Sequence, residues 1–171
     1  MHPTGTAVGT MTHAILIVCH ANVSRSVMAE AILRRMLQDR GVANRFTVSS
    51  GGVAYYARDG ALASLDARLA LEDIGIGISR DTVSTDLKRH RTPVLRADLI
   101  LAMTAEQIDM LNRGFPEAAD KAIFTLKEYA GSAGDIEDPQ GQAESVFTAC
   151  RDEIHSCLKH SIDRLIRDAT R

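Results

Sequence analysis

The sequence contains no tryptophan, and aromatic residues make up only 4% of its 171 positions. Proteins that bind single-stranded nucleic acid stack the bases on aromatic side chains, so this scarcity argues against such a protein. An excess of positive charge is also missing, since 20 Lys and Arg stand against 22 Asp and Glu. A protein that neutralises nucleic-acid phosphates is normally strongly basic. We therefore expect no nucleic-acid partner.

Cysteine is rare as well, because the chain carries only Cys19, Cys150 and Cys157. Three irregularly spaced cysteines do not make a disulfide framework, which favours a reducing, cytoplasmic location. No run approaches the ~18 consecutive apolar residues of a membrane-spanning helix, so we expect no membrane partner. Cys150 and Cys157 fall on the apolar side of a helical pattern, and core packing is the favoured interpretation of both.

The first twelve residues are rich in glycine and threonine and carry no basic cluster. Their apolar run is too short for a signal peptide. The sequence therefore predicts a flexible N-terminal tail over residues 1–12, with Met11 as an alternative start of the chain. Residues 13–171 have the length of a single domain, which usually holds ~100–150 residues.

Short apolar segments alternate with helical patterns along this domain. Strands are predicted at residues 14–18, 46–49, 98–103 and 121–126. Helices are predicted at residues 26–40, 64–74, 104–111 and 143–167. The second is expected to bury Leu65, Leu69, Ala70 and Leu71. Strand–helix alternation produces parallel strands joined by right-handed crossovers. The predicted fold class is therefore α/β, an open sheet with helices on both faces.

Ligands of such sheets bind at the carboxyl ends of the strands. Residues 19–25 follow the first strand at this edge of the sheet. This segment, CHANVSR, leads directly into a predicted helix. The unpaired N–H groups and the positive dipole end of that helix favour an anion, and a thiolate at Cys19. The planar guanidinium of Arg25 can hold two oxygens of a phosphate. One short loop therefore supplies a nucleophile, an oxyanion site and a cation.

A second loop at the same edge, residues 131–141, contains Asp138. Its carboxylic acid would protonate the leaving group when a phosphoryl group moves to sulfur, then deprotonate the water that hydrolyses the phosphocysteine. Alternatively, Asp138 caps the last helix. Tyr55 and Tyr56 either wall the cleft or form an exposed pair. The basic residues 88–91 form either a solvated face or a docking patch for acidic protein substrates.

Four separate motifs, in this order, resemble those of low-molecular-weight protein tyrosine phosphatases, including the bacterial branch with its protein arginine phosphatases. The motifs are Cys19-x-x-Asn22-Val23-x-Arg25-Ser26, Ser50-Gly51-Gly52, DLILAMT at residues 98–104, and FTLKEY at residues 124–129 followed by Asp138-Pro139. The resemblance extends from Ala14 to the C-terminus. It implies a four-stranded parallel sheet of the flavodoxin-like, phosphotyrosine phosphatase I type, and neither a metal nor another cofactor.

The resemblance also implies the roles of individual residues. Cys19 would be the nucleophile, Arg25 the phosphate clamp and Asp138 the general acid, while Asn22, Ser26 and Ser50 would hold the loop in shape by hydrogen bonds. The expected partners are phosphorylated proteins or peptides, with phosphate, sulfate or vanadate able to occupy the loop. The expected substrate-binding residues are His20, Ala21, Asn22, Val23, Ser24, Ser26 and Gln140, and the alternative for His20 is a solvated loop histidine.

Some residues depart from the pattern of the family. Ala21 replaces a usual glycine, and its Cβ is expected to strain the loop. Ser24 replaces a frequent second cysteine that protects the nucleophile from over-oxidation, and Gln140 replaces a usual aromatic residue. Tyrosine phosphatases of the family favour an aliphatic residue at the position of Val23, and arginine phosphatases a threonine. Phosphotyrosine is therefore the predicted substrate and phosphoarginine the alternative.

Two further functions stay open at this point. Ala21 and Gln140 suit a non-catalytic phosphate-binding module. Thioredoxin-coupled arsenate reductases also resemble this family, but they carry additional cysteines after the third helical region. Residues 80–100 of this chain contain no cysteine, so we rank arsenate reduction behind phosphatase activity.

Overall fold

The computed structural model describes residues 11–171. The predicted tail over residues 1–12 falls almost entirely outside the described residues, and only its last two, Met11 and Thr12, are seen, exposed before the first strand. Among the described residues, no helix combines the length and the apolar character that crossing a bilayer requires.

Four strands form one sheet, and every neighbouring pair in it is parallel. They are β1 (His13–Cys19), β2 (Phe46–Gly52), β3 (Leu99–Ala102) and β4 (Ala122–Thr125), in the order β2-β1-β3-β4. Val18 lies opposite both Gly51 of β2 and Ala102 of β3. The strands therefore end together, and the loops that follow them meet at one edge. The predicted four-stranded parallel sheet is confirmed.

Six α-helices cover both faces of the sheet in the part of the chain that the structure describes. They are α1 (Arg25–Asp39), α2 (Leu65–Glu72), α3 (Thr92–Arg96), α4 (Ala105–Gly114), α5 (Leu126–Tyr129) and α6 (Glu144–Asp168). Successive side chains of a strand point to opposite faces. Ile17 accordingly packs in one core with apolar residues of α1 and α6, and Val18 packs in a second core with residues of α3 and α4. This arrangement confirms the predicted two-sided α/β fold.

Helix ends are set by local side-chain hydrogen bonds. Thr104, the first residue of the predicted helix over residues 104–111, is the N-cap of α4 and forms a reciprocal capping box with Gln107. Thr125 and Glu128 form a second capping box, which begins α5. For this reason β4 ends at Thr125, and the prediction that this strand includes Leu126 was wrong.

Helix α2 buries only part of the side that was predicted. Leu65 is 68% exposed and Leu69 is 41% exposed, so the prediction was wrong for these two leucines. The prediction is confirmed for Ala70 and Leu71, which are buried together with Ala67, and the small alanine side chains let α6 approach closely. The buried guanidinium of an α6 residue, Arg151, donates to the carbonyl of Ala70 at 2.8 Å.

Candidate active site

Residues 19–25, which we call the Cys19 loop, run from the end of β1 into the first residue of α1. The loop turns at Asn22, whose φ of 61° is the only positive φ of a non-glycine residue in the described part of the chain. Asparagine adopts this left-handed conformation more readily than most residues. Ala21 stays outside the left-handed region, so the strain expected from its Cβ is not found.

The sulfur of Cys19 is buried and surrounded by hydrogen-bond donors. The backbone N–H of Asn22 donates to Sγ at 3.2 Å, and Oγ of Ser26 lies 3.0 Å from Sγ. Ser26 Oγ already accepts a hydrogen bond from Asn22 Nδ2 at 2.8 Å, which leaves its own proton for the sulfur. Donors to sulfur stabilise the anionic form, and the thiolate is the nucleophilic form of cysteine.

The Asn22 side chain ties the loop to its surroundings. Its Oδ1 accepts from the backbone N–H of Thr85 at 2.9 Å, and because a backbone N–H only donates, this contact fixes the orientation of the amide. Nδ2 therefore donates to Ser26 and, at 2.9 Å, to Ser50 Oγ. Ser50 in turn donates to Glu30 Oε2 at 3.2 Å. A continuous network thus connects the sulfur of Cys19 to β2 and α1.

Arg25 begins α1 and is only 3% exposed. Its Nη1 donates to the carbonyl of Ile136 at 2.9 Å, and its Nη2 lies 3.0 Å from Nδ1 of His20. The nearest carboxylate, Oδ2 of Asp138, is 3.7 Å from Nη2. A buried cation is costly unless an anion compensates it, and one half-exposed carboxylate at this distance compensates it poorly. The site is therefore suited to a further anion.

Asp138 lies in the loop between α5 and α6 and is 50% exposed. Its Oδ1 accepts from the backbone N–H of Gln140 at 3.0 Å, and this turn leaves Oδ2 facing Arg25. Helix α6 has Ala143 as its N-cap, so the alternative interpretation of Asp138 as a helix cap is wrong. The free carboxylate oxygen is placed to exchange a proton with a ligand beside Arg25.

A cavity of about 240 Å³ lies between the Cys19 loop and two neighbouring loops. Burial, and next the negative charge of Asp138, raise the pKa of Tyr56 above its ordinary value, so this phenol stays neutral at neutral pH and forms an uncharged aromatic wall. The cavity is lined by Cys19, Ala21, Val23, Ser24, Arg25, Tyr56, Asp138 and Gln140.

Comparison with known protein families shows to which family the chain belongs. The model of the low molecular weight phosphotyrosine protein phosphatase family matches residues 14–171. The chain belongs to this family. It is therefore a hydrolase of the protein phosphatase class, as the sequence motifs predicted.

Similar proteins include phosphatases of two kinds. A protein-arginine-phosphatase of Geobacillus stearothermophilus is 38% identical over 156 residues, which cover 91% of this chain and 97% of the relative. The low molecular weight protein-tyrosine-phosphatase PtpB of Staphylococcus aureus is 28% identical, over 84% of this chain and 93% of its own. A solved mutant of YwlE arginine phosphatase with a phosphorylated active-site serine has a TM-score of 0.80 and 33% identity, covering 91% of this chain and 97% of its own.

Within this phosphatase site, the predicted substrate-binding residues fall into two groups. Val23, Ser24, Ala21 and Gln140 line the cavity. The side chains of the others do not form its wall: Asn22 and Ser26 are buried against the sulfur, and the ring of His20 faces α4. That His20, Asn22 and Ser26 bind substrate therefore stays a prediction, and any such contact would involve their backbone groups.

Ser24 is the N-cap of α1, yet its side chain makes no capping hydrogen bond. Its buried Oγ has no hydrogen-bond partner within residues 11–171. A buried hydroxyl without a partner is unfavourable, and Ser24 lines the cavity. The hydroxyl is therefore available to an oxygen of a bound ligand.

The two remaining cysteines of the phosphatase lie on α6, in the core. Burial raises the pKa of Cys150 to about 12 and also raises the pKa of Cys157. Both are therefore neutral thiols at neutral pH and poor nucleophiles. The core-packing interpretation fits this placement, and neither thiol is suited to resolve an oxidised Cys19 in the manner of an arsenate reductase.

The basic residues 88–91 are paired within the protein. Lys88 Nζ lies 2.8 Å from Asp86, Arg89 and His90 face Asp59, and Arg91 Nε lies 2.7 Å from an acidic side chain of the chain segment after α4. These internal ion pairs favour the solvated-face interpretation over a docking patch. A larger groove of about 560 Å³ at the opposite edge of the sheet, near Thr12 and Asp98, contains none of the catalytic candidates.

Several contributors to the phosphatase site were missed by sequence reasoning. Thr85 and Ile136 act through backbone groups, which no side-chain pattern reveals. Glu106 and Gln107 on α4 contact the ring of His20. The capping sequence Thr104-x-x-Gln107 was recognisable as a helix start, but nothing local indicated that Gln107 also reaches the Cys19 loop.

Gly52 is expected to be required where β2 passes behind the Cys19 loop. A Cβ on this residue would lie 2.8 Å from the carbonyl oxygen of His20 and 2.9 Å from Cβ of Ala57. We expect Gly52→Ala to lower the free energy of unfolding by about 1–3 kcal/mol, as overpacking does, and to reduce phosphatase activity by displacing the loop. Urea denaturation measures the first effect.

Gly77→Ala is the matched control, since a Cβ there meets no atom within 4 Å. Its free energy of unfolding should stay within about 0.5 kcal/mol of the wild-type value. Equal stability of the Gly52→Ala variant and wild type would contradict the close approach of β2 to the loop.

Proposed function

We propose that this protein dephosphorylates phosphotyrosine in proteins through a phosphocysteine intermediate. The observation that carries the proposal is the convergence of three groups on one cavity: the sulfur of Cys19 with its two donors, the buried guanidinium of Arg25 and the free carboxylate oxygen of Asp138. Each group has a defined part in phosphoryl transfer to sulfur.

In the first step the phosphate dianion is held by Arg25 and the N-terminus of α1, where unpaired N–H groups and the dipole favour an anion. The Cys19 thiolate attacks phosphorus, a sulfur–phosphorus bond forms, and the bond from phosphorus to the tyrosine oxygen breaks. Asp138 gives its proton to that oxygen, so the product leaves as a neutral phenol. The Ser24 hydroxyl is available to the equatorial oxygens.

In the second step Asp138, now a carboxylate, removes a proton from water. The water oxygen bonds to phosphorus, the sulfur–phosphorus bond breaks, and phosphate is released. Asn22 and Ser26 stabilise the thiolate that leaves. Phosphorylation of the active-site serine in the YwlE mutant supports transfer of the phosphoryl group to an enzyme side chain.

The choice of phosphotyrosine rests on the walls of the cavity. Val23 and Tyr56 present an aliphatic and an aromatic surface, which suit the flat apolar ring of tyrosine. Val23 offers no hydrogen bond to the polar nitrogens of a phosphorylated guanidinium, and leaving such groups unpaired in a buried site costs binding energy.

Phosphoarginine is the second candidate. It is favoured by the identity of 38% to the protein-arginine-phosphatase of Geobacillus stearothermophilus. In this case the carboxylic acid of Asp138 would give its proton to the leaving nitrogen as the phosphorus–nitrogen bond breaks, and the resulting carboxylate would accept hydrogen bonds from the guanidinium N–H groups of the product.

The experiment compares kcat/KM on phosphotyrosine and phosphoarginine versions of one peptide. We expect the phosphotyrosine peptide to be preferred, vanadate to inhibit competitively, and Val23→Thr to shift the ratio roughly tenfold towards phosphoarginine, the size of one added hydrogen bond. Val83→Thr, on an exposed residue, is the matched control and should leave the ratio unchanged.

A tenfold or greater preference of the wild type for phosphoarginine would reverse the order of the two substrates. Absence of hydrolysis of any phosphorylated substrate would reject the proposed function. We place the activity in the cytoplasm, because a reducing compartment keeps Cys19 as a reactive thiol. We further propose that phosphate, sulfate and vanadate occupy the Cys19 loop.

A further inference from the structure

His20 directly follows the nucleophile, but its ring contacts the phosphate-binding cation instead of the cavity. Nδ1 lies 3.0 Å from Nη2 of Arg25 and 2.9 Å from Nε2 of Gln107. The side chain of His20 is 17% exposed. A histidine in direct contact with a buried guanidinium affects where that guanidinium lies.

The protonation state of this nitrogen follows from the orientation of Gln107. Oε1 of Gln107 accepts from the backbone N–H of Met103 at 2.8 Å and of Thr104 at 3.2 Å. Because backbone N–H groups only donate, that end of the amide is its oxygen, and Nε2 is a donor. A guanidinium also only donates. Nδ1 of His20 therefore receives two donors and carries no proton.

The proton of the neutral ring is consequently on Nε2. This nitrogen faces Oε2 of Glu106 at 3.4 Å. The ring also stacks on Tyr56, with the ring planes 4° apart and the centroids separated by 6.4 Å. Contacts with α1, α4 and the loop after β2 thus fix both the position and the tautomer of His20.

We propose that His20 is a positioning residue for Arg25, which holds the guanidinium ready for phosphate while Nδ1 is unprotonated and releases it when His20 becomes protonated. A guanidinium has five N–H groups. The contacts with Ile136 and His20 use one each, so three remain for the anion. This inference rests on the proposed function, since it assigns His20 a part in phosphate binding.

The contacts of His20 determine how phosphate binding changes with pH. A proton on Nδ1 would face the N–H groups of Arg25 and Gln107, so the contact breaks and phosphate binding weakens as the pH falls. The titratable and charged groups around His20 are Arg25, Glu106, Tyr56, Asp138 and the adjacent Cys19.

Two substitutions separate positioning from mere packing. Asparagine places its amide oxygen as many bonds from the backbone as Nδ1, so His20→Asn keeps a neutral acceptor that does not titrate. His20→Leu keeps bulk and removes the acceptor. We expect His20→Leu to raise KM for an aryl phosphate and the inhibition constant of vanadate roughly tenfold at pH above neutral. Its kcat should change by less than about threefold, because the groups that transfer the proton and the phosphoryl group are intact.

His20→Asn should restore KM to within about threefold of the wild-type value at that pH, since the hydrogen bond is kept. At acid pH the ratio of wild-type KM to the KM of this variant should rise. Titration of the substrate and of the shared catalytic groups affects both proteins equally, so it does not change this ratio. His155→Leu, on the exposed side of α6, is the control and should match wild type throughout.

Vanadate-induced protection against thermal unfolding gives binding without turnover, so a loss of binding is distinguished from a loss of folding. The proposal is overturned if His20→Leu binds vanadate as wild type does, if His20→Asn behaves like His20→Leu, or if wild type and His20→Asn share one pH profile. A wild-type protein that hydrolyses no phosphorylated substrate would reject the proposed function instead.

Discussion

Replacing Cys19 by serine is expected to abolish hydrolysis of aryl phosphates and phosphopeptides while leaving oxyanion binding intact. The sulfur receives donors from Asn22 and Ser26 that favour its anionic form, whereas a serine hydroxyl stays protonated at neutral pH and is a weak nucleophile. We expect turnover to fall by a factor on the order of 10⁴ or more. Steady-state kinetics measures this loss, and calorimetric titration with vanadate measures binding.

Cys157→Ser is the matched control, because it makes the same chemical change in the core at a thiol whose pKa is raised by burial. This variant should keep its turnover. Equal and negligible rates in wild type and in Cys19→Ser would contradict the proposed enzyme. Retained vanadate binding in both would then support a non-catalytic phosphate-binding module.

The fold was largely predictable because its strands and long helices have strong apolar patterns. The predicted strand at residues 14–18 corresponds to β1, and the predicted helix at 143–167 corresponds to α6. Leu65 and Leu69 were misplaced because periodicity does not reveal which side of α2 a partner helix will approach. The short helices α3 and α5 span too few residues for periodicity to show.

The site was predictable where one loop carries the chemistry. Cys19 and Arg25 belong to a single segment, and Asp138 joins them because the carboxyl ends of parallel strands share an edge. The supporting contacts were not predictable, since Thr85 and Ile136 contribute backbone groups from distant parts of the chain. Such contacts depend on tertiary structure and leave no mark in residue spacing.

Asp138→Asn is expected to slow hydrolysis of a phosphotyrosine peptide by about 10²–10⁴-fold, the usual contribution of a general acid. The amide cannot protonate the tyrosine oxygen as it leaves. It does retain an acceptor for the backbone N–H of Gln140, which donates to Oδ1 at 3.0 Å, so the loop keeps its shape. The first step should be slowed much less with a nitrophenyl phosphate, because nitrophenol is far more acidic and needs no proton to leave.

With that activated substrate, water attack on the phosphocysteine becomes the slow step, because Asp138 also serves as the base. Rapid-quench kinetics should therefore show a burst of nitrophenol close to one equivalent of enzyme, followed by slow turnover. The control is Glu137→Gln, which replaces an exposed carboxylate in the same loop. This variant should show neither the burst of nitrophenol nor the loss of turnover. If Asp138→Asn slowed the first step equally for good and poor leaving groups, the role of Asp138 would reduce to its ion pair with Arg25 at 3.7 Å. The proton for the leaving group would then have to come from another residue.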